Sequence, residues 1–127
     1  MPLVKINLRR GRPVAEKHAI GAAVQAALVE CLGIPDEDRY QLYIEHEDEN
    51  FRHTGGYLGL TYTDALLILE ITFVEGRGDP VKKALLAAIN RNLTEAGLAR
   101  ADDVFVMITE VGRANVSFGG GIAQRAL

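Results

Sequence analysis

The second residue of the chain is a proline, which directly follows Met1 and precedes an apolar stretch. Removal of Met1, which is usual before a small residue, would turn the nitrogen of Pro2 into a secondary amine with a free lone pair. An α-amino group titrates at about pH 7.7–8.0, and burial or a nearby cation lowers that pKa, whereas a carboxylate raises it. Pro2 is therefore a candidate general base or acid. It could also merely begin an edge strand, where the missing N–H costs nothing.

Other residues that often carry chemistry give weaker signals. Cys31 is the single cysteine, and its place on the apolar face of a predicted helix favours a core role. His46 and His53 flank an acidic loop but lack the spacing of metal ligands, so we expect no metal site. The glycines at 119–121 lack the lysine and hydroxyl residue of a phosphate loop, and they predict a flexible bend.

Composition narrows the class of protein. The chain has 127 residues, 48% of them hydrophobic and 24% charged, which predicts one globular domain over residues 1–127. The net charge of −3 gives no basic surface for a nucleic-acid partner. No apolar run is long enough to span a membrane, and no leader resembles a signal peptide. We expect a cytoplasmic protein with neither a nucleic-acid nor a membrane partner.

The first third of the chain predicts a strand, a helix and a second strand. Apolar and polar residues alternate over residues 3–8, which is the period of a strand. A helix is predicted next, with Pro13 at its first position and Gly33 at its end. Residues 40–44 are rich in strand-forming types and predict the second strand.

A similar series follows after a polar loop. Residues 45–64 predict a loop that contains a short strand, and the apolar run 65–74 predicts a strand covered on both faces. Asp79-Pro80 is expected to supply the cap and the first-turn proline of a helix that ends at Gly97. Residues 104–108 predict the last main strand.

The two series match each other at a fixed offset of 65 residues, with eleven identical pairs and no gap. Among these pairs are Gly11/Gly76, Arg12/Arg77 and Asp38/Asp103. We therefore expect an α/β (α+β) fold of two β-α-β repeats, at about residues 2–46 and 66–111, followed by a C-terminal tail. Right-handed crossovers would place both helices on one face of a four-stranded mixed sheet. The other face would need a cover, most simply further copies of the chain.

These features resemble the tautomerase superfamily, and most closely its malonate semialdehyde decarboxylase group. The resemblance extends over almost the whole chain, in segments that begin with the Met-Pro start: Pro2-Leu3 with Gly11-Arg12, residues 34–41, residues 108–110 and residues 117–119. It implies a tautomerase-like fold, a homotrimer, one pocket at each Pro2, and neither a metal nor an organic cofactor.

The resemblance also implies roles for residues near Pro2. Asp38 would work with the proline, and Arg77 would bind the carboxylate of a small substrate and polarise its carbonyl. Phe118 would form a wall of the pocket, while Tyr40 could line either the pocket or the core. The alternatives are a turn carboxylate for Asp38, as expected for its repeat mate, and a turn-closing role for Arg77.

Two positions depart from the pattern of that group. The second substrate arginine is replaced by Glu75, or by Val74 in a different alignment of the turn, and an aromatic residue is replaced by Val116. The candidates for a replacement guanidinium are arginines elsewhere in the chain: Arg9, Arg12 and Arg39. Because one guanidinium suffices for keto-enol tautomerisation, our first hypothesis is a proline-dependent tautomerase acting on a small keto or enol acid. The alternatives are a decarboxylase or hydratase acting on a 3-oxo acid, and a non-catalytic trimeric binding protein.

Overall fold

The computed structural model describes the whole chain, from Met1 to Leu127. Its elements are, in order, β1 (Leu3–Arg9), α1 (Val14–Leu32), β2 (Tyr40–His46), β3 (Gly56–Tyr57), β4 (Leu60–Thr61), β5 (Leu67–Val74), α2 (Asp79–Glu95) and β6 (Val104–Val111). The main sheet has the order β2-β1-β5-β6, and β3 and β4 form a separate hairpin. Neither helix has the length and apolar content that a membrane span requires.

The main sheet is mixed, as the sequence predicted. β1 runs parallel to β2, β5 runs parallel to β6, and the two central strands β1 and β5 are antiparallel. The N-terminal ends of β1 and β2 therefore lie beside the C-terminal ends of β5 and β6. We call this edge of the sheet the Pro2 end, and the opposite edge the far end.

The core lies between one face of the sheet and the two helices. Alternate residues of the central strands point into it, and apolar stripes of α1 and α2 pack against them: Val4, Ile6, Leu8, Leu67, Leu69, Ile71 and Phe73 from the strands, and Ile20, Val24, Leu28, Leu85, Ile89 and Leu93 from the helices. Full burial of each such side chain contributes about 1.5–3 kcal/mol. The prediction of two helices on one face is confirmed.

β5 differs from its prediction. Within the chain its residues alternate between buried and more exposed, with Ile68 and Thr72 half-buried and Glu70 exposed. The expectation of a strand covered on both faces is therefore wrong for the chain taken alone. The second face of this strand is uncovered because both helices lie on the other side of the sheet.

The starts of the helices also differ from their predictions by one residue. Pro13 precedes α1 as its N-cap instead of occupying the first helical position. Gly78 caps α2 with an extended backbone, and Asp79 is already helical and makes no side-chain capping bond. The C-terminal prediction for α1 is confirmed, since Gly33 adopts the left-handed conformation at φ 68°.

The duplication is visible in matched contacts. Lys17 on α1 bonds Glu45 on β2, and their repeat mates Lys82 and Glu110 make the same contact, both at 2.7 Å. Exposure to solvent and screening by salt leave such ion pairs with little effect on stability, so the matched contacts are evidence of a shared geometry. The two repeats thus place equivalent residues at opposite ends of one sheet.

Candidate active site

The topology brings the sequence-predicted site residues to the Pro2 end. Leu3 is paired with Tyr40 on one side and with Thr72 on the other, so Pro2 lies next to the beginning of β2 and the end of β5. Asp38 precedes β2, Arg77 follows β5, and Phe118 lies in the segment after β6. Residues that are far apart in sequence therefore meet at one edge.

A cavity of about 280 Å³ opens at this edge. Six residues line it, and five of them are hydrophobic: Met1, Leu3, Tyr40, Val116, Ser117 and Phe118. Pro2 is buried directly behind Met1. The volume suits a small molecule, and the apolar lining would strengthen any electrostatic contact made within it. Tyr40 thus lies at the cavity and not in the core.

The amino group at Met1 contacts Asp38. It donates to both carboxylate oxygens, at 2.6 and 2.8 Å, and the side chain of Asp38 is 26% exposed. The carboxylate thus lies one residue away from the nitrogen of Pro2.

Gln25 fixes the segment that carries Asp38. Its buried side-chain amide donates to the backbone carbonyls of Asp36 and Asp38, at 3.1 and 2.9 Å. The repeat mate Asn90 makes the corresponding bond to Ala101 at 2.8 Å. Sequence reasoning missed Gln25, although a glutamine on the apolar face of α1 is the signal that could have revealed it, because buried amides need partners.

The repeat mate of Asp38 has a different role. Asp103 is fully buried and accepts hydrogen bonds from the backbone N–H of Thr63 at 2.8 Å, from the hydroxyl of Thr63, and from Arg100 at 3.3 Å. Burial alone would raise the pKa of Asp103, but the bonds from Thr63 and Arg100 outweigh it and lower this pKa below its usual value. The structural role expected for Asp103 is confirmed.

Arg77 lies at the Pro2 end but does not line the cavity. Its guanidinium carbon is 5.0 Å from the centroid of the Phe73 ring, and it has no hydrogen bond or ion pair within the chain. The repeat mate Arg12, in contrast, donates to the carbonyls of Ala65 and Leu98 at 2.9 and 3.3 Å. Arg12 closes a turn, whereas the donors of Arg77 have no acceptor in the protein.

The replacement arginines considered from the sequence lie elsewhere. Arg9 is at the far end, where it donates to the carbonyls of Phe51 and Asp64 at 2.7 Å. Arg12 is at the far end as well, and Arg39 pairs with Asp36 at 3.1 Å. None of the three reaches the cavity of its own chain.

Comparison with known proteins identifies the class. Two family profiles, both described as tautomerase enzyme, match residues 38–119 and residues 2–60, and the first covers more than half of the chain. The chain belongs to the tautomerase family. It is 32% identical over 125 residues to the probable tautomerase YusQ of Bacillus subtilis, with 98% of each chain covered.

Solved structures agree with this assignment. The FG41 malonate semialdehyde decarboxylase inhibited by 3-bromopropiolate has a TM-score of 0.88 and 35% identity, covering 98% of this chain and 94% of that one. A wild-type fused 4-OT that forms an asymmetric trimer has a TM-score of 0.79 and 25% identity, covering 98% of both chains. The fold and these relatives define a tautomerase-type enzyme.

Proposed function

We propose that this enzyme catalyses keto-enol tautomerisation of a small keto or enol carboxylic acid, with the amine of Pro2 as its general base and acid. The observation that carries the proposal is the start of the chain, which lies at an apolar cavity with Asp38 against its amino group. Removal of Met1 would expose the prolyl nitrogen to this cavity. Pro2, Asp38 and Arg77 are the proposed catalytic residues, and Tyr40 and Phe118 are proposed to bind substrate.

In the proposed reaction the neutral prolyl amine removes a proton from the carbon beside the carbonyl. The resulting cation then returns the proton to the other end of the enol system, so the amine is regenerated. Arg77 has free donors, and a planar guanidinium suits a carboxylate. The apolar walls at Tyr40 and Phe118 would exclude water from the enolate.

A second candidate is a decarboxylase or hydratase acting on a 3-oxo acid. The contact of Asp38 with the chain's amino group favours it, because a carboxylate beside the prolyl amine would keep that amine cationic and suited to act as an acid. The likeness to the malonate semialdehyde decarboxylase supports it as well. Titration of the Pro2 amine separates the two candidates, since a pKa well above 8 would exclude the simple base mechanism.

The enzyme is also proposed to act as a homotrimer. The face of the sheet opposite the helices carries exposed apolar side chains at equivalent positions of both repeats: Tyr40 and Phe105, and Leu42 and Met107. Apolar side chains in such an arrangement are typical of a surface covered by other copies. The trimer of the fused 4-OT supports this assembly.

The test combines intact mass with an assay on a generic enol acid, phenylenolpyruvate, for the natural sequence and Pro2→Ala. We expect a mass without Met1, and loss of nearly all turnover in Pro2→Ala, because alanine keeps the processing but replaces the secondary amine. Pro13→Ala, an exposed proline at the far end, is the matched control and should keep its turnover. Retained Met1, or turnover that is indifferent to Pro2→Ala, would refute the proposal.

A further inference from the structure

A second guanidinium lies against the turn that carries Arg77. A Cβ atom built on Gly76 would be 3.9 Å from Nη2 of Arg113, so the guanidinium of Arg113 lies beside the residue that precedes Arg77. Arg113 begins the short 3-10 turn Arg113–Asn115, which follows β6 after Gly112. The next residues along the chain, Val116 to Phe118, line the cavity. The guanidinium of Arg113 therefore lies beside the turn at Gly76, and its backbone leads into the segment that lines the cavity.

Neither guanidinium has an acceptor in the protein. No carboxylate oxygen lies within 4 Å of Arg77 or of Arg113, and neither side chain donates a hydrogen bond. Three carboxylates of the neighbouring elements are already engaged, whereas the exposed Glu75 in the turn itself forms no ion pair. Glu110 and Asp79 both contact Lys82, at 2.7 and 3.4 Å, and Asp38 contacts the chain's amino group.

At the far end, the arginines of the first repeat have acceptors within the protein. The position equivalent to Arg113, at an offset of 65 residues, is Asp48, which lies 3.6 Å from Nε of Arg9. Arg12, the mate of Arg77, is held by two carbonyls and by Glu16. The far end therefore has an aspartate where the Pro2 end has an arginine, and both Arg9 and Arg12 have acceptors there.

A guanidinium whose donors have no acceptor in the protein is free to bind an anion, and its planar group of donors suits a carboxylate. We propose that Arg113 acts with Arg77 to bind the carboxylate of the substrate, as the second guanidinium of the site. This inference rests on the proposed function, because that function requires a carboxylate anchor beside the cavity. It makes Arg113 a substrate-binding residue that selects acids over their neutral analogues.

The kinetic test compares Arg113→Gln with the natural sequence on phenylenolpyruvate and on its methyl ester. A hydrogen bond to a charged group is worth enough that KM for the acid should rise about tenfold or more, with kcat changed little. KM for the ester should be the same in both proteins. Arg52→Gln, at an exposed arginine without an ion pair in the β2–β3 loop, is the matched control and should behave as the natural sequence.

A binding test does not depend on turnover. In the Pro2→Ala background, phenylpyruvate binding measured by calorimetry should weaken about tenfold or more when Arg113→Gln is added. Unchanged binding, or a KM equal to that of Arg52→Gln, would overturn the role of Arg113 even when turnover depends on Pro2. Absence of Pro2-dependent turnover would instead overturn the proposed function, and weakened binding in Arg113→Gln would still support a carboxylate site.

Discussion

Asp38 and Asp103 occupy equivalent positions in the two repeats, but we expect their substitution to have different effects. One substitution should change the stability of the protein and the other its turnover. Asp103 is fully buried with three hydrogen bonds, whereas Asp38 is partly exposed and contacts the amino group at the start of the chain. We therefore predict that Asp103→Asn lowers the free energy of unfolding and largely preserves turnover. We predict that Asp38→Asn, in contrast, lowers turnover and largely preserves the free energy of unfolding.

The size of the Asp103→Asn effect follows from its contacts. The amide oxygen of asparagine can still accept from the N–H of Thr63, but the charge is lost, and its NH₂ group would face both the hydroxyl of Thr63 and Arg100. Charge-assisted hydrogen bonds are worth about 1.5–3 kcal/mol each, and the half-exposed Arg100 can recover part of its share from water. We expect a loss of about 2–4 kcal/mol for Asp103→Asn, and less than about 1 kcal/mol for Asp38→Asn.

Urea unfolding at one fixed protein concentration measures the first effect, because the stability of an oligomer depends on concentration. Turnover of phenylenolpyruvate against pH measures the second. Removing the carboxylate at Asp38 should move the limb that the proposed mechanism assigns to the prolyl amine to lower pH, since the amine loses the anion that favours its cation. The reasoning is refuted if Asp103→Asn unfolds within about 0.5 kcal/mol of the natural sequence, or if Asp38→Asn leaves the pH profile unchanged.

The contacts of Asp103 also predict that the stability of the protein depends on pH. The pKa of Asp103 is lower in the folded chain than its usual value near 3.8, so the unfolded state binds more protons across that interval. The contribution of Asp103 is therefore fully present above the unfolded value, and it is lost as pH falls through the folded pKa. The stability gap between the natural sequence and Asp103→Asn should be constant near neutral pH and should narrow below about pH 4.

Two further substitutions test the packing and the assembly. Gly21→Ala should destabilise the chain by about 1–3 kcal/mol in urea unfolding, because its Cβ would overlap with the hydroxyl of Tyr43, and adding Tyr43→Phe should restore part of the loss. A result in which Gly21→Ala unfolds like the natural sequence would contradict the close approach. Leu42→Glu, which places a charge on the uncovered sheet face, should shift the mass measured by light scattering from that of the proposed trimer toward that of a monomer, whereas Leu86→Glu on an exposed helix position should leave it unchanged.

The sequence predicted the order of elements well, because the two repeats align without a gap and each supports the interpretation of the other. The errors arise where neighbouring residues compete or where a partner is needed. Gly78 and Asp79 are both acceptable caps, and only the backbone conformation decides between them. The apolar run of β5 looks the same whether its second face is covered by its own chain or by another copy, so periodicity could not tell that this face is open within the chain.

Only part of the candidate site could be predicted from the sequence, for a similar reason. Pro2 could be proposed from the sequence because removal of Met1 would give it a secondary amine, and the resemblance to a known family supported that interpretation. Gln25 and Arg113 are ordinary residues, and the contacts of Gln25 and the proposed role of Arg113 depend on what the fold places beside them, namely the backbone at Asp38 and the turn at Gly76. No local signal marks such positions, because the partners are distant in sequence.

Asp38 and Asp103 show how one duplicated position acquires two roles. In each repeat the carboxylate before the second strand lies next to the segment that leads into the first strand. In the second repeat that segment contains Thr63, whose N–H and hydroxyl satisfy the buried carboxylate and fix it in place. In the first repeat the partner is the chain's amino group beside Pro2. The same carboxylate geometry therefore stabilises the fold at the far end and is available to tune an amine at the Pro2 end, so stability and turnover should respond separately to the two asparagine substitutions.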